Sequence, residues 1–151
     1  MIKPLSDCSP TLDIISEYIA ALQQRDSNKM DTFRSKNFVR DLVAGDAFHD
    51  SPASNQDISE FWSAWFAAFE DMDYEVIRTI ATEESVVLEW VFTGTHSGKL
   101  DPAVFDKEIQ PTGNTVKLRG VSIYEITNQS ITRETLYIDM ATLWVELGVI
   151  L

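Results

Sequence analysis

One carboxylate stands where a strand pattern gives way to a helix pattern. In the segment ITRETLYIDMATLWVELG, residues 131–148, Asp139 is surrounded by apolar side chains, among them Ile138 and Met140. A carboxylate in apolar surroundings has a raised pKa, and such a base can remove a proton from the carbon next to a carbonyl. The same position suits the N-cap of the following helix. The residues alone leave both interpretations open, and one carboxylate can serve both purposes.

Two histidines and a tyrosine are further candidates for proton transfer or hydrogen bonding. His49 lies in AFHD, where strand alternation places either His49 or its neighbour Phe48 inside; it is a pocket group or an exposed loop-edge histidine. His96 lies in GTHSG, between glycines that favour a sharp bend, and can hold that bend through backbone contacts or contact a ligand. Tyr124 can polarise a carbonyl as a neutral donor.

Aromatic side chains are the candidates for an apolar ligand pocket. The segment DISEFWSAWFAAFEDM carries them at helical spacing, and core packing accounts for most of them. We expect at least one, Trp62 or Phe66, to face a cavity. Trp90 and Phe92 share one side of a predicted strand. Tyr137 shares a face with Asp139, so both can line the same pocket.

Charge and composition exclude several classes of partner. The chain has 24 acidic and 12 basic residues and a formal net charge of −12, which repels a phosphate backbone or an anionic membrane surface. No segment approaches the ~18 apolar residues of a membrane span. Cys8 is the only cysteine, and the N-terminus has no apolar run, so we expect a cytoplasmic protein without a signal peptide.

Spacing motifs for metals and phosphates are missing from the sequence. The two histidines and the scattered acids show no H-x-E, H-x-x-x-H or C-x-x-C spacing, and there is no glycine-rich phosphate loop and no G-x-S-x-G. We therefore expect neither a metal nor another cofactor.

The order of the predicted elements is typical of an α+β domain spanning residues 1–151. A helix begins at Ser9-Pro10, the polar stretch 26–28 breaks it, and a shorter helix follows. A short strand is predicted near 46–50, and Asp57 is predicted to cap the aromatic helix with Glu60 in a capping box. The last part of the chain reads as four strands, DYEVIRTIAT, SVVLEWVFTGTHSG, TVKLRGVSIYEIT and SITRETLYID, of which the last two form a hairpin through TNQS. A short helix ends the chain at Gly148.

Three segments in this order, VVLEWVFTGTHSGKL, QPTGNTVKLRGVSIYEI and SITRETLYIDMATLWVELG, resemble the SnoaL-like polyketide cyclase family. This family belongs to the nuclear-transport-factor-2-like superfamily, which also holds the steroid delta-isomerases. The resemblance runs from about Phe38 to Leu151. It implies a cone-shaped, curved antiparallel sheet wrapped around the N-terminal helices, a deep apolar pocket and a homodimer packed sheet to sheet. It also implies ring closure by an aldol step without metal or cofactor, with Asp139 as acid and base.

One stretch departs from the family pattern. The cyclases carry a histidine or another strong donor on the strand before the last, where this chain has GVSIYEI and offers only Ser122 and Tyr124. This departure counts against polyketide cyclisation itself. The resemblance and the candidate residues together predict a cyclase or isomerase for a small apolar carbonyl compound, with catalytic Asp139, His49 and Tyr124. A non-catalytic binding protein for a small apolar metabolite is the alternative. A third hypothesis is a structural role with a vestigial pocket.

Overall fold

Two helices come first, and the three longest strands follow the third helix. The structure, a computed structural model, describes residues 7–43, 52–105 and 107–149. The helices of these residues are α1 (Ser9–Gln23), α2 (Ser27–Phe33), α3 (Asn55–Ala68), α4 (Pro102–Phe105) and α5 (Met140–Leu147). Their strands are β1 (Arg34–Val43), β2 (Ala53–Ser54), β3 (Asp71–Ala81), β4 (Ser85–Thr95), β5 (Thr115–Thr127) and β6 (Ser130–Ile138). The predicted α+β fold is confirmed. None of the described helices combines the length and apolarity needed to cross a membrane.

The sheet is curved, open and mixed rather than purely antiparallel. Its strand order is β2-β1-β6-β5-β4-β3, and β1 runs parallel to β6 while every other neighbour pair is antiparallel. The predicted curved antiparallel sheet did not include β1, the strand that runs parallel to its neighbour. Its inward positions include Arg40 as well as Phe38 and Leu42, and a charge on the core face breaks the apolar alternation that marks a strand. The strand predicted near 46–50 lies outside the described residues.

The β5–β6 hairpin follows the prediction. Asn128 and Gln129 form its two-residue connection, with φ of 50° and 62°. Two consecutive positive φ angles are typical of the type I′ turn, whose twist matches that of the flanking strands. The hairpin therefore pairs β6 with β5, and a register shift between Glu125 and Ile126 then sets the face to which the β6 side chains from Arg133 onward point.

The aromatic helix begins three residues before the predicted position. Ser54, not Asp57, is the N-cap of α3: the Ser54 hydroxyl accepts from the Asp57 backbone N–H at 3.2 Å, and the Asp57 carboxylate accepts from the Ser54 N–H at 2.9 Å. The predicted capping box began at Asp57, which in the structure is its second, acidic member. With this start, α3 places Ile58, Trp65 and Phe66 in the core against the inner face of the sheet.

Candidate active site

A cavity lies between the inner face of the sheet and α3, and its lining is largely aromatic. The aromatic lining residues are Phe61, Trp62, Trp65, Tyr74, Trp90, Phe92, Phe105 and Tyr124. The cavity volume is ≈ 70 Å³, within ≈ 690 Å³ of empty space that includes the open mouth. The inner part is thus narrow and suits a single small ring or a chain rather than a bulky molecule.

Two opposite charges lie within this lining. Arg40 on β1 is 7% exposed and Glu134 on β6 is 3% exposed. They are Cα partners in the parallel β1–β6 pair, so their side chains leave the same face of the sheet. The guanidinium carbon of Arg40 lies 4.1 Å from the centroid of the Phe61 ring, a cation–π contact. Burial lowers the pKa of Arg40, and the negative charge of Glu134 opposes that shift.

A short hydrogen-bond chain holds one oxygen of Glu134. The indole Nε1–H of Trp90 can only donate, and it donates to the Ser122 hydroxyl at 3.0 Å. Ser122 in turn donates its own proton to Oε2 of Glu134 at 2.8 Å. Gly120 makes room for this arrangement, since a Cβ there would lie 2.3 Å from Cζ2 of Trp90. These hydrogen bonds use only Oε2, so the second oxygen of Glu134, Oε1, is available for another partner.

Four buried polar atoms of the cavity lining have no hydrogen-bond partner among the described residues. They are Nε and Nη1 of Arg40, Oε1 of Glu134 and Nε1 of Trp62. Arg40 and Glu134 also form no ion pair within 4.0 Å in the described part of the chain. A buried polar group without a partner costs about 1–3 kcal/mol. Three donors and one acceptor of this kind at one cavity can meet the polar groups of a ligand.

Two tyrosines complete the polar side of the cavity as neutral groups. Tyr124 is the Cα partner of Glu134 across β5 and β6, and Tyr74 stacks on Trp90 with ring centroids 5.2 Å apart. Burial raises the pKa of both hydroxyls well above the usual range, and the charge of Glu134 raises them further. Tyr124 thus keeps its proton near neutral pH, as a hydrogen-bond donor must.

Four of the residues predicted to contact a ligand or take part in catalysis do line the cavity: Trp62, Trp90, Phe92 and Tyr124. Phe66 does not; it is buried in the core, and its ring stacks on Trp62 at 5.4 Å. The aromatic helix therefore presents Trp62, not Phe66, to the cavity. His49 lies outside the described residues.

Asp139 lies outside the cavity and is exposed. Its carboxylate accepts from the Thr142 hydroxyl at 2.7 Å and from the Thr142 N–H at 3.2 Å, so it is the N-cap of α5. The hydrogen bond from the Thr142 hydroxyl lowers the pKa of Asp139 most, and the bond from the Thr142 N–H lowers it further. This shift is opposite to the raised pKa expected for a base in an apolar pocket. Of the two interpretations of Asp139, the structure shows the helix cap.

The alternation of β6 explains this difference. Glu134, Leu136 and Ile138 line the cavity, so Tyr137 and Asp139 point to the other face. Tyr137 is 46% exposed there and borders an outer groove together with Asp139. In the sequence, the apolar residues Leu136 and Ile138 indicate which side of β6 faces inward. By the same alternation, Glu134 is a charged residue on that inner face. Sequence reasoning missed both Glu134 and Arg40.

His96 braces a loop away from the cavity. It is buried, and its Nδ1 accepts from the Thr112 N–H at 3.3 Å and lies 3.0 Å from the Thr112 hydroxyl. Its backbone exchanges hydrogen bonds with Asn114 and Gly113. Burial lowers the pKa of His96, which favours the neutral ring. The predicted alternative, a histidine that holds the bend, matches these contacts.

No group of three or more histidine, cysteine, aspartate or glutamate side chains within the described ranges is arranged to hold a metal ion. The charged and polar groups of the cavity can bind oxygen or nitrogen atoms of an organic molecule, and Glu134 can exchange a proton with it. Such an arrangement can support acid–base chemistry beside a fixed positive charge.

One family model matches most of the chain, and solved structures share its fold. The family model for the SnoaL-like polyketide cyclase matches residues 13–147. AclR from Streptomyces galilaeus, a proposed hydroxylase, has 24% identity and a TM-score of 0.78 over 94% of this chain and 83% of its own. IdmH from Streptomyces antibioticus, a proposed polyketide cyclase, has 24% identity and a TM-score of 0.70 over 93% and 99%. An LEH-like epoxide hydrolase from M. tuberculosis has 15% identity and a TM-score of 0.67 over 93% and 91%. No curated protein sequence matches the chain.

Proposed function

Because the chain belongs to the SnoaL-like polyketide cyclase family, we propose that it is a cyclase or isomerase that transfers a proton on a small apolar carbonyl compound, with Glu134 as the base. A single observation carries the proposal: among the described residues, Oε1 of Glu134 has no partner in an aromatic cavity that also contains two donors of Arg40 without partners. This assignment moves the base from Asp139 to Glu134, since Asp139 is exposed and its pKa is lowered.

The proposed steps use only groups that line the cavity. Oε1 of Glu134 removes a proton from the carbon next to the carbonyl, and the electron pair moves onto the carbonyl oxygen as an enolate. Arg40 and the neutral Tyr124 hydroxyl donate to that oxygen, and such preorganised donors stabilise the charge as it develops. In an isomerase, protonated Glu134 returns the proton to a different carbon. In a cyclase, the enolate carbon attacks a second carbonyl of the same molecule, and Glu134 gives the proton to the resulting alkoxide.

The test needs no knowledge of the natural substrate. Acetophenone is a small flat ketone whose methyl protons exchange with D₂O when a base removes them, and NMR follows the loss of the proton signal. We expect the protein to accelerate this exchange and Glu134→Gln to lose the acceleration by about 10²–10⁴-fold, the usual contribution of a general base.

Asp139→Asn is the matched control, since asparagine also caps helices. We expect its exchange rate to stay within about threefold of that of the wild-type protein. A normal rate in Glu134→Gln together with a lost rate in Asp139→Asn would return the base to Asp139 and contradict the proposal.

A binding protein for a small apolar metabolite is the second candidate. The unpaired Nε1 of Trp62 favours it, because a donor on the aromatic wall contributes to binding without taking part in proton transfer. If the wild-type protein binds acetophenone, seen as a change in tryptophan fluorescence, but does not accelerate exchange, the binder is the better description.

We also propose a homodimer in which two sheets meet through their outer faces. Apolar side chains meet in neighbouring strands there: Ile80, Val87 and Ile123 are consecutive partners across β3, β4 and β5. Val121 and Tyr137 are partners in the adjacent row across β5 and β6. Ile80 is 53% exposed and Tyr137 46% exposed, an apolar surface that a second copy would cover. The cytoplasm stays the proposed location.

A further inference from the structure

The charges of the cavity cancel. Arg40 and Glu134 are the only charged residues among the described residues that line it, one of each sign, and both are more than nine-tenths buried. The rest of the lining is apolar or carries neutral polar groups. A charge in such a low-dielectric site interacts much more strongly than in water, so the sum of the charges decides which ligands are tolerated.

A ligand that carries a full charge disturbs this balance. A carboxylate would be attracted by Arg40, but it would also face Glu134, and two carboxylates in one site repel each other. The site with its ligand would then hold one uncompensated negative charge, which is costly away from water. A neutral ligand leaves the site balanced.

The unpaired atoms specify the polar edge of that neutral ligand. Arg40 presents two donors in its planar fork and Trp62 a third, whereas Glu134 presents one acceptor. A ligand meets both kinds of atom if it has a hydrogen-bond acceptor beside a donor. Neutral carboxamides, enols and hydroxyketones have such an edge, whereas a simple hydrocarbon has neither group and a carboxylate lacks the donor.

We propose that the cavity between Arg40 and Glu134 selects neutral ligands with a hydrogen-bond acceptor beside a donor, and rejects carboxylates of the same shape. The inference rests on the proposed function only in placing an ionised Glu134 at the cavity, and it goes further by naming the ligand class. It concerns binding alone and requires no turnover.

Benzamide and benzoate are the matched probes, because they have the same ring and nearly the same shape but only benzoate is charged at neutral pH. Three of the four tryptophans line the cavity, so binding is measured as a change in tryptophan fluorescence and confirmed by calorimetry. We expect the wild-type protein to bind benzamide at least about tenfold more tightly than benzoate. Equal or tighter binding of benzoate, or no saturable binding of benzamide at millimolar concentration, would overturn the proposal.

Glu134→Gln tests the cause of the selectivity. Glutamine keeps the size of the side chain and removes the negative charge, so Arg40 is left as an uncompensated cation that favours an anion. We expect benzoate to gain at least about tenfold in affinity and the preference for benzamide to be lost.

Glu84→Gln is the control for overall charge, because Glu84 is exposed and the substitution removes the same charge. It should leave the ratio of the two affinities unchanged. A Glu134→Gln variant that folds, as judged by circular dichroism, but keeps the wild-type ratio would refute the inference. Should the variant not fold, the ratio measured on the wild-type protein decides alone.

The two proposals fail separately. Glu134 could discriminate against benzoate and yet not accelerate proton exchange, in which case the ligand class stands and the catalytic role falls. Conversely, a protein that exchanges the protons of acetophenone but binds benzoate as tightly as benzamide keeps its base and loses the selectivity argued here.

Discussion

At the scale of single residues, the main feature is a pair of buried charges that do not satisfy each other. Natural interiors leave few buried polar atoms unpaired, yet within the part of the chain that the structure describes Arg40 has two and Glu134 one. Stability alone would favour apolar residues of similar size at these positions, because well-packed hydrophobic replacements of buried charges are often neutral or stabilising. The free-energy cost of leaving these atoms unpaired at a cavity is explained if a bound ligand forms hydrogen bonds with them.

The buried tyrosines lead to a prediction about alkaline pH. Burial raises the pKa of Tyr18 to about 12 and those of Tyr74 and Tyr124 well above the usual range. The unfolded chain releases these protons near pH ~10, whereas the folded chain keeps them. The unfolded state then binds fewer protons, so the free energy of unfolding is fully retained below pH ~10 and falls as the pH rises above it.

Urea unfolding at several alkaline pH values measures this slope, and ultraviolet absorbance reports phenolate formation in the folded protein. We expect Tyr124→Phe to make the decline of stability less steep, because one of the contributing groups is removed. A slope identical to that of the wild-type protein, or phenolate absorbance from these tyrosines in the folded state near pH ~10, would contradict the prediction.

Individual cavity residues were predictable where their own strand or helix carried the signal. Trp90 and Phe92 lie two residues apart on one side of β4, flanked by Glu89 and Thr93 on the other, and Trp62 lies at helical spacing beside the core positions of α3. The apolar pair at 136 and 138 marks Glu134 as an inner-face residue, but its proximity to Arg40 was not predictable, because it depends on the parallel pairing of two strands far apart in the chain. Local patterns contain no information on that register.

At the scale of elements, α5 depends on its first residue. Asp139 accepts from the N–H and the hydroxyl of Thr142, and this pairing lowers its pKa. A lowered pKa in the folded state means that the contribution to stability is present above the ordinary pKa of an aspartate and is lost as the pH falls through the lowered value. The cap therefore weakens only in acid.

We expect Asp139→Ala to lower the melting temperature by a few degrees at neutral pH, because α5 loses its cap. Asp139→Asn should lower it less, since asparagine keeps an oxygen for the Thr142 N–H. Thermal unfolding followed by circular dichroism measures both variants, and the exchange assay is run in parallel. A melting temperature unchanged in Asp139→Ala, with exchange abolished, would show that the residue serves catalysis and not the helix.

The elements themselves were predicted best where short-range chemistry defines them. β5 has the predicted bounds, the hairpin turn follows from TNQS, and Gly148 ends α5 with φ of 74°. The predicted start of α3 was wrong by three residues, because Asp57 with Glu60 gave a capping pattern that competed with Ser54 and Asp57. β1 was missed because tertiary contacts, not its own pattern, favour a buried arginine in a strand.

At the scale of the whole molecule, charge and apolar surface act against each other. Each chain carries a formal net charge of −12, so two copies repel each other at low ionic strength. The outer face of the sheet nevertheless exposes apolar side chains, among them Ile80 and Tyr137. At physiological ionic strength, salt screens this repulsion beyond about 8–10 Å. The free energy gained by burying apolar area is unchanged or becomes more favourable.

We therefore expect a dimer of twice the 17.1 kDa chain mass, with a dissociation constant that falls as salt is raised. Ile123 lies between Val87 and Thr135 in the outer row of the sheet, so Ile123→Lys places a charge within the proposed contact. Sedimentation velocity should show this variant as a monomer. Gln110→Lys, the same charge at an exposed loop position, should remain a dimer. A wild-type protein that sediments as a monomer in high salt, or an Ile123→Lys variant that dimerises like the control, would show that the sheet face is not the contact between copies.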